Sequence, residues 1–141
     1  RSVPMDGFMQ AAYTTVLEAD EIIVAVRVPR GTGGRWGYHK FCRKPGEFAE
    51  ASAAVWLPAG AAPRIVLGAL DGAPVLLPAL AQRIARDGAA AAGRAQIAQA
   101  VREALPAREA VDNQLHAVCL ARALAQAGIA AAPSEKTACI P

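Results

Sequence analysis

The sequence has few cysteines, few aromatic side chains and no long uninterrupted apolar run. Its three cysteines are widely spaced and odd in number, which excludes a disulfide framework and is typical of a protein in the reducing cytoplasm. No apolar run approaches the roughly 18 to 20 residues that a membrane-spanning helix needs, because Arg, Gly or Pro interrupts each candidate. Although only 5% of the residues are aromatic, 54% are hydrophobic, and this fraction excludes intrinsic disorder. We therefore expect a folded cytoplasmic protein without a membrane span.

The chain also lacks the usual start of a complete or secreted protein. Its first residue is Arg1 rather than Met, and no basic-then-apolar signal region follows it. Its 141 residues are the size of one ordinary domain, so two full-sized cores are not expected. We expect a piece of a longer soluble protein, whose function depends partly on residues outside the piece.

Common catalytic and nucleotide-binding motifs are missing, including G-x-S-x-G, Walker A, the dinucleotide-binding pattern and H-E-x-x-H. One pattern could supply zinc ligands, since His39 and Cys42 have the same spacing as His116 and Cys119. The second pair would share a helix face, but the first pair would point to opposite faces of a strand. We therefore predict no metal site and no catalytic residue in this chain.

Positive charge is concentrated in one segment, although the net charge is only +3. No acidic residue lies between Glu21 and Glu47. The basic residues in this interval are Arg27, Arg30, Arg35, Lys40, Arg43 and Lys44. Such a segment suits a phosphate, a carboxylate or an acidic partner surface. A solvated strand edge protected by charges would have the same composition.

The apolar pattern has period two in the first half of the chain and about 3.6 in the second half. It predicts strands over about 21–29, 38–43, 48–57 and 64–70, and helices over 78–86, 94–105 and 112–127. In the first helix Leu80, Ala81 and Ile84 are expected to face inward; Asp112 or Asn113 can cap the third helix, and Gly128 lies where its C′ residue should be. The small side chains of the Ala-rich helices are expected to let them approach the sheet closely. Residues 5–17 are interpreted as an irregular lead-in and 30–37 as a Gly-rich loop. Strands grouped before helices favour an α+β fold, in which three helices pack on one face of an antiparallel sheet of three or four strands. We divide the chain into a domain over 1–128 and a tail over 129–141.

Two stretches resemble the FAD-binding (medium) subunits of molybdenum hydroxylases, the family of carbon monoxide dehydrogenase and xanthine dehydrogenase. The first stretch lies in residues 5–29 and is carried by Phe8, Thr15, Leu17, Asp20, Glu21, Ile22 and Pro29. The second lies in residues 38–57 and is carried by Tyr38, Lys40, Arg43, Lys44, Gly46, Phe48, Ala49, Ala53, Ala54 and Val55. Shorter matches follow in the same order at Leu67, Gly68 and Pro74, and at Arg122, Ala123 and Leu124. The chain departs from the family at Glu47, where Asp is usual, and lacks the Ser-x-x-Tyr-Arg that many members carry before the last helix.

This resemblance is to the C-terminal domain of the subunit, and it implies a part in an FAD-dependent oxidoreductase complex. In such enzymes the substrate is hydroxylated at a molybdenum cofactor on a large subunit, and electrons pass through iron–sulfur clusters on a small subunit to FAD. The resemblance implies that the main FAD loops lie in an N-terminal domain absent from this chain. The C-terminal domain would help to enclose FAD and to dock the partner subunits. By position, Tyr13, Ile23 and either Lys40 or the adjacent His39 match FAD-contacting residues, and the fragment alone is expected to be inactive.

A stand-alone basic module that contacts nucleic acid or an acidic protein is the alternative. The positive excess is far below that of a typical nucleic-acid-binding domain, and few aromatic residues are available to stack on bases. We therefore expect no nucleic-acid partner.

Overall fold

The structure is a computed structural model that describes residues 1–28, 30 and 33–129. Its main sheet has four antiparallel strands, each paired with the next along the chain, and a separate two-stranded hairpin precedes it. The strands are β1 Met9–Ala11, β2 Thr14–Thr15, β3 Gly34–Phe41, β4 Ala51–Pro58, β5 Arg64–Gly68 and β6 Val75–Leu76. The helices are α1 Pro78–Asp87, α2 Arg94–Ala104 and α3 Ala110–Gln126. The predicted α+β class, with the sheet preceding three helices, is confirmed.

The core lies between one face of the main sheet and the helices. On β4, the side chains of Ala51, Ala53, Val55 and Leu57 are buried, whereas Ala54 and Trp56 are exposed. This alternation is the period of two expected when one face of a strand packs on a core. The helices contribute apolar side chains that are at most 4% exposed, namely Leu80, Ile84, Ile97, Val101, Leu120 and Leu124. The predicted inward positions of α1 are confirmed, since Leu80, Ala81 and Ile84 are all buried.

Helix α3 lies very close to β3. A Cβ atom built on Gly37 would overlap the carbonyl oxygen of Ala123, so the backbones approach each other where only hydrogen atoms fit between them. The side-chain amide of Gln126 also accepts a hydrogen bond from the backbone N–H of Tyr38, with an N···O distance of 2.9 Å. The small residues predicted along this helix therefore have a structural role, because they allow the helix to seat against the strand.

The end of α3 has the geometry predicted from Gly128. Gly128 adopts φ +78°, and its N–H donates to the carbonyl of Ala125. The N–H of Ile129 donates to the carbonyl of Leu124 at 2.8 Å. These two bonds form a Schellman motif, in which a left-handed residue satisfies the last carbonyls of a helix. The predicted start of this helix is wrong: its N-cap is Glu109, with no side-chain capping bond, rather than Asp112 or Asn113.

His116 joins α3 to the end of β5. Its side chain is 0% exposed. One ring nitrogen, Nδ1, lies 2.9 Å from the carbonyl oxygen of Asp112, and Nε2 lies 3.1 Å from the carbonyl oxygen of Gly68. Both neighbours are carbonyl oxygens, and a neutral imidazole has a single N–H, so the ring lies between the helix and the sheet and donates to one of the two.

The predicted first strand is wrong over the part of it that the structure describes. Residues 21–28 belong to no strand, and Pro29 lies outside the described residues. High β propensity selects an extended backbone, but a strand also needs a neighbour that accepts and donates its hydrogen bonds. Within the described ranges, this segment has no such neighbour.

Other element boundaries also differ from the predictions. The interval 5–17 is not irregular, since it contains a 3-10 turn at Met5–Gly7 and the β1-β2 hairpin. The backbone of Ala12 donates to the carbonyl of Asp71 at 3.2 Å, so the hairpin attaches to the connection after β5. Strand β3 begins at Gly34, inside the predicted loop, and the two-residue strand β6 was missed because two residues carry too little pattern. Residues 130–141, most of the predicted tail, lie outside the described part of the chain.

Candidate functional site

Among the residues that the structure describes, no helix covers the second face of the main sheet, and we call this face the open face. On β3 it is formed by Trp36, Tyr38 and Lys40, which alternate with the buried Gly37. Their partners across the ladder are Trp56, Ala54 and Ser52, respectively. Trp36 is 70% exposed, Trp56 43% and Tyr38 48%. Directly paired residues on antiparallel strands project to the same side, so the open face combines aromatic rings with basic side chains.

A shallow cavity of about 470 Å³ lies at the end of the open face that carries Lys40. The strands contribute Tyr38, Lys40 and Ser52 to its walls. The other walls are the turn after β3 and the residue after β5, with Gly46, Glu47, Phe48, Ala49 and Ala69 lining the space. The cavity therefore brings together an aromatic ring, an ammonium group, a hydroxyl and a carboxylate.

Lys40 is the basic residue best placed in this cavity. In the described part of the chain its ammonium group has no hydrogen-bond or ion-pair partner. Other basic residues of the same segment make structural contacts: Arg43 pairs with Glu50 at 2.7 Å, and Arg35 donates to the carbonyl of Gly128 at 3.2 Å. The basic residues between Glu21 and Glu47 therefore differ in role: Arg35 and Arg43 contact other groups of the protein, and Lys40 lines the cavity.

His39 lies on the opposite side of the sheet from Lys40. Its Nε2 is 3.1 Å from the Nη1 atom of Arg122 on α3. Because a guanidinium group can only donate, Nε2 must accept this hydrogen bond. His39 therefore contacts the helical layer, and a single ligand on the open face cannot reach both His39 and Lys40.

Tyr13 and Ile23 also lie away from the walls of this cavity. Tyr13 is 98% exposed at the β1-β2 turn and adopts φ +56°, and Ile23 is 55% exposed in the segment before β3. Neither residue is among those lining the cavity in the described part of the chain. The structure thus brings Lys40 together with Tyr38, but it does not bring the four predicted positions to one place.

Sequence reasoning missed several residues of the cavity. Tyr38 lies two residues before Lys40, and side chains two apart on a strand share one face, so the sequence alone could have placed it in the cavity. Ser52 could be found only with the register between β3 and β4, which pairs it with Lys40. Ala69 adopts φ +60°, a conformation that alanine does not signal in a sequence.

A groove of about 630 Å³ lies between α2 and α3. Its walls are mainly alanines, with Ile97 and Val118, and Arg94 and Arg122 also line it. The Arg122 side chain that contacts His39 therefore belongs to this groove and not to the cavity on the open face. Within the described ranges, no group of three or more His, Cys, Asp or Glu residues could hold a metal ion. No helix in those ranges is long and apolar enough to cross a membrane.

No protein-family model matches the chain. The chain is 48% identical to the carbon monoxide dehydrogenase medium chain of Hydrogenophaga pseudoflava over 58 residues. This match covers 39% of the present chain and 20% of that relative. It is 40% identical to the nicotine 6-hydroxylase medium subunit of Paenarthrobacter nicotinovorans over 57 residues. This match covers 40% of the present chain and 20% of that relative. The matched region thus spans about a fifth of the curated relatives.

Comparison with solved structures covers most of the chain. A crystal structure of Cu,Mo-CO dehydrogenase matches 86% of this chain and 46% of its own chain, with a TM-score of 0.70 and 24% identity. The Hydrogenophaga pseudoflava carbon monoxide dehydrogenase matches 94% of this chain and 50% of its own, with a TM-score of 0.67 and 26% identity. The fold is therefore that of a domain of these dehydrogenases. The predicted resemblance to the C-terminal domain of the FAD subunit of molybdenum hydroxylases is confirmed.

Proposed function

We propose that the chain is the C-terminal part of the medium subunit of a molybdenum hydroxylase, and that its open face helps to enclose FAD. The observation that carries this proposal is the position of Tyr38 and Lys40 in one cavity on the side of the sheet that the helices leave uncovered. The similarity to medium subunits supplies the class of cofactor. The main FAD loops would belong to a separate N-terminal domain.

The residues present in the cavity fit one end of such a cofactor. The ring of Tyr38 offers a flat apolar surface to an aromatic ring system, and the Lys40 ammonium group offers positive charge to a phosphate or an electron-rich ring. FAD, when bound, supplies the redox chemistry, and the protein supplies position and electrostatics. Of the two adjacent basic positions, Lys40 is the one we assign to FAD, because His39 faces α3.

The remaining parts of the proposal concern the whole enzyme. Electrons would reach FAD from a molybdenum cofactor on a large subunit through iron–sulfur clusters on a small subunit, in a cytoplasmic complex. This chain would contribute docking surface for those subunits and for the N-terminal domain. Tyr13 and Ile23 remain proposed FAD contacts, to be completed by residues outside this chain. The chain by itself would have no oxidoreductase activity.

The test uses a hybrid medium subunit, in which this chain is joined to the half of the solved Hydrogenophaga pseudoflava carbon monoxide dehydrogenase chain that the structural match leaves uncovered. We expect Lys40→Ala to lower the FAD that the hybrid retains after dialysis by at least about tenfold, since a charged contact of roughly 1.5 kcal/mol is lost. Lys44→Ala is the matched control, because it removes the same charge outside the cavity. Equal flavin retention in the two variants would refute the assignment of Lys40. Tight, stoichiometric FAD binding by the chain alone would show that the main site is misplaced.

The alternative of a stand-alone binding module would use the same surface. Trp36 and Trp56 are exposed beside each other, and Arg64 is the partner of Trp56 on β5. This arrangement offers more exposed aromatic surface than the composition suggested. Salt-dependent binding of a single-stranded oligonucleotide by the chain alone, abolished by Trp36→Ala, would favour this alternative over the flavin role.

A further inference from the structure

The turn over residues 68–72, which follows β5, connects two parts of the proposed FAD surface. Near its start, Ala69 lines the cavity on the open face. Near its end, Gly72 forms an antiparallel bridge with Ala11, which belongs to the hairpin that carries Tyr13. A shift of this turn would therefore move the cavity wall and the Tyr13 hairpin together.

The backbone of this turn adopts a conformation that alanine disfavours. Ala69 has φ +60°, in the left-handed region, where a Cβ atom comes too close to the following carbonyl oxygen. A residue stays in such a conformation only where the surrounding contacts fix it. The contacts on either side of Ala69 therefore decide the shape of the cavity wall.

Two side chains from the helical half of the chain hold this turn, one near each end. The carbonyl oxygen of Gly68 lies 3.1 Å from Nε2 of His116. The carboxylate of Asp71 accepts a hydrogen bond from Arg108 at 2.7 Å. His116 is 0% exposed, whereas the Asp71 side chain is 99% exposed, and water competes with an exposed ion pair but not with a buried hydrogen bond. His116 is therefore the stronger constraint on the turn.

The single N–H of a neutral His116 ring stabilises the fold more at Gly68 than at Asp112. The carbonyl of Asp112 lies four residues earlier in α3, so the regular helix pattern already gives it the backbone N–H of His116. The carbonyl of Gly68 belongs to the last residue of β5, where the ladder ends. A buried carbonyl that loses its donor is costly. The geometry therefore favours the tautomer with the proton on Nε2.

We propose that His116 is a positioning residue for the FAD surface. Its Nε2–H fixes the carbonyl of Gly68, and this contact holds the left-handed turn that places the cavity wall and the Tyr13 hairpin relative to each other. The proposal rests on the proposed function, since it takes both regions to contact FAD. His116 is buried between α3 and the end of β5, so it acts through the turn and not on the cofactor.

NMR of the chain alone tests the tautomer and the turn without FAD. Nitrogen-15 shifts distinguish a protonated from a bare ring nitrogen, and we expect Nε2 of His116 to carry the proton. We expect His116→Leu to change the NH–Hα coupling of Ala69 and the amide shift of Gly72. His116→Gln should preserve both signals, because its side-chain amide can donate from near the position of Nε2. Ile97→Val is the matched control, since it weakens the core in the groove between α2 and α3 and should leave both signals unchanged.

The same variants in the hybrid medium subunit test the effect on the cofactor. We expect His116→Leu to lower the FAD retained after dialysis at least about fivefold, because the cavity wall and the Tyr13 hairpin lose their relative placement. His116→Gln and Ile97→Val should stay within about twofold of the unsubstituted hybrid, since both leave the turn in place. If His116→Leu prevents folding, His116→Asn takes its place, because its shorter side chain cannot donate from the position of Nε2.

Three outcomes would overturn the positioning role. They are a bare Nε2 on His116, unchanged signals of the turn in His116→Leu, and an equal loss of FAD in His116→Leu and Ile97→Val. The role of Lys40 is judged separately on the same hybrid. Changed signals of the turn, together with equal FAD retention in Lys40→Ala and Lys44→Ala, would refute the flavin role and leave the turn held by His116. Loss of FAD in Lys40→Ala with unchanged signals of the turn would do the reverse.

Discussion

The Cα atom of Gly37 lies directly against the carbonyl oxygen of Ala123, and this contact sets the distance between β3 and α3. The strand carries the residues of the open face, and the helix carries much of the core. A change at this contact therefore affects folding and the position of Lys40 together.

Gly37→Ala is predicted to destabilise the protein by about 3 kcal/mol or more. The added methyl group would meet backbone atoms of α3, which cannot turn aside as a flexible side chain can. Urea denaturation followed by circular dichroism measures the effect. The control is Gly7→Ala, where no atom lies within 4 Å of the added Cβ and the change is expected to be below about 0.5 kcal/mol. Equal stability of the two variants would contradict the close approach of β3 and α3.

His116→Leu is predicted to cost about 1 to 3 kcal/mol, although leucine is similar in volume and more apolar. The substitution removes the ring nitrogens that lie 2.9 Å from the carbonyl oxygen of Asp112 and 3.1 Å from that of Gly68, so the carbonyl that accepted the ring N–H loses its partner. His39→Leu is the comparison, because it removes the contact with Arg122 at a half-buried position and should cost less than about 1 kcal/mol. A smaller loss for His116→Leu than for His39→Leu in urea denaturation would contradict the bridging role of His116.

Cys119 is predicted to react slowly with thiol reagents in the folded protein. Its side chain is 1% exposed, and burial raises the pKa of its thiol above the ordinary value of 9.0. In a Cys139→Ser background, we expect Cys42 to be labelled at least about 100-fold faster than Cys119, whose reaction requires opening of the core. Mass spectrometry of peptides labelled over time separates the two sites, and similar rates would show that Cys119 is accessible.

The raised pKa of the Cys119 thiol also predicts a direction for stability at high pH. The unfolded chain ionises this thiol near pH 9.0, whereas the folded chain keeps it protonated. Its contribution to stability is therefore complete below that pH and is lost as the pH rises above it. Cys119→Ala should reduce the loss of stability between pH 8 and pH 10, which urea denaturation at several pH values would detect.

Glu21 is predicted to titrate near pH 2. The guanidinium of Arg1 donates to both of its carboxylate oxygens at 2.6 Å, and this hydrogen bonding lowers the pKa of Glu21 to about 2 from 4.5. The contribution of the pair to stability is present above pH 4.5 and is lost as the pH falls towards 2, but it is small because both groups are exposed to solvent. A carbon NMR titration should show the Glu21 midpoint move back towards 4.5 in Arg1→Gln. An unchanged midpoint would show that Arg1 does not hold this carboxylate.

The fold was predictable where sequence pattern and tertiary packing agree. Leu80 and Ile84 at helical spacing predicted α1, and Gly128 predicted the end of α3, because each depends on local geometry and one buried face. The strand predicted over 21–29 is wrong because pairing depends on a neighbour that local sequence does not specify. The apolar pattern of this segment indicates where a strand belongs, but not which sheet supplies the hydrogen bonds.

The candidate site was predictable only in part, for a related reason. The resemblance placed a basic FAD contact at either His39 or Lys40, and adjacent residues of a strand necessarily face opposite sides. Only the packing of α3 on one side of β3 determines that Lys40 faces the cavity and His39 faces Arg122. Ser52 and Ala69 reach the cavity through strand register and a left-handed backbone, and neither feature is visible in the residue types.

The alternation along β3 has a consequence for how such a domain can change. Every second residue of this strand faces the helices, and the intervening ones face away from them and pair with residues of β4. Substitutions at Trp36, Tyr38 and Lys40 therefore leave the packing between the sheet and the helices unchanged. A lineage, or an engineer, can reshape what this surface recognises while the helical side keeps the protein folded.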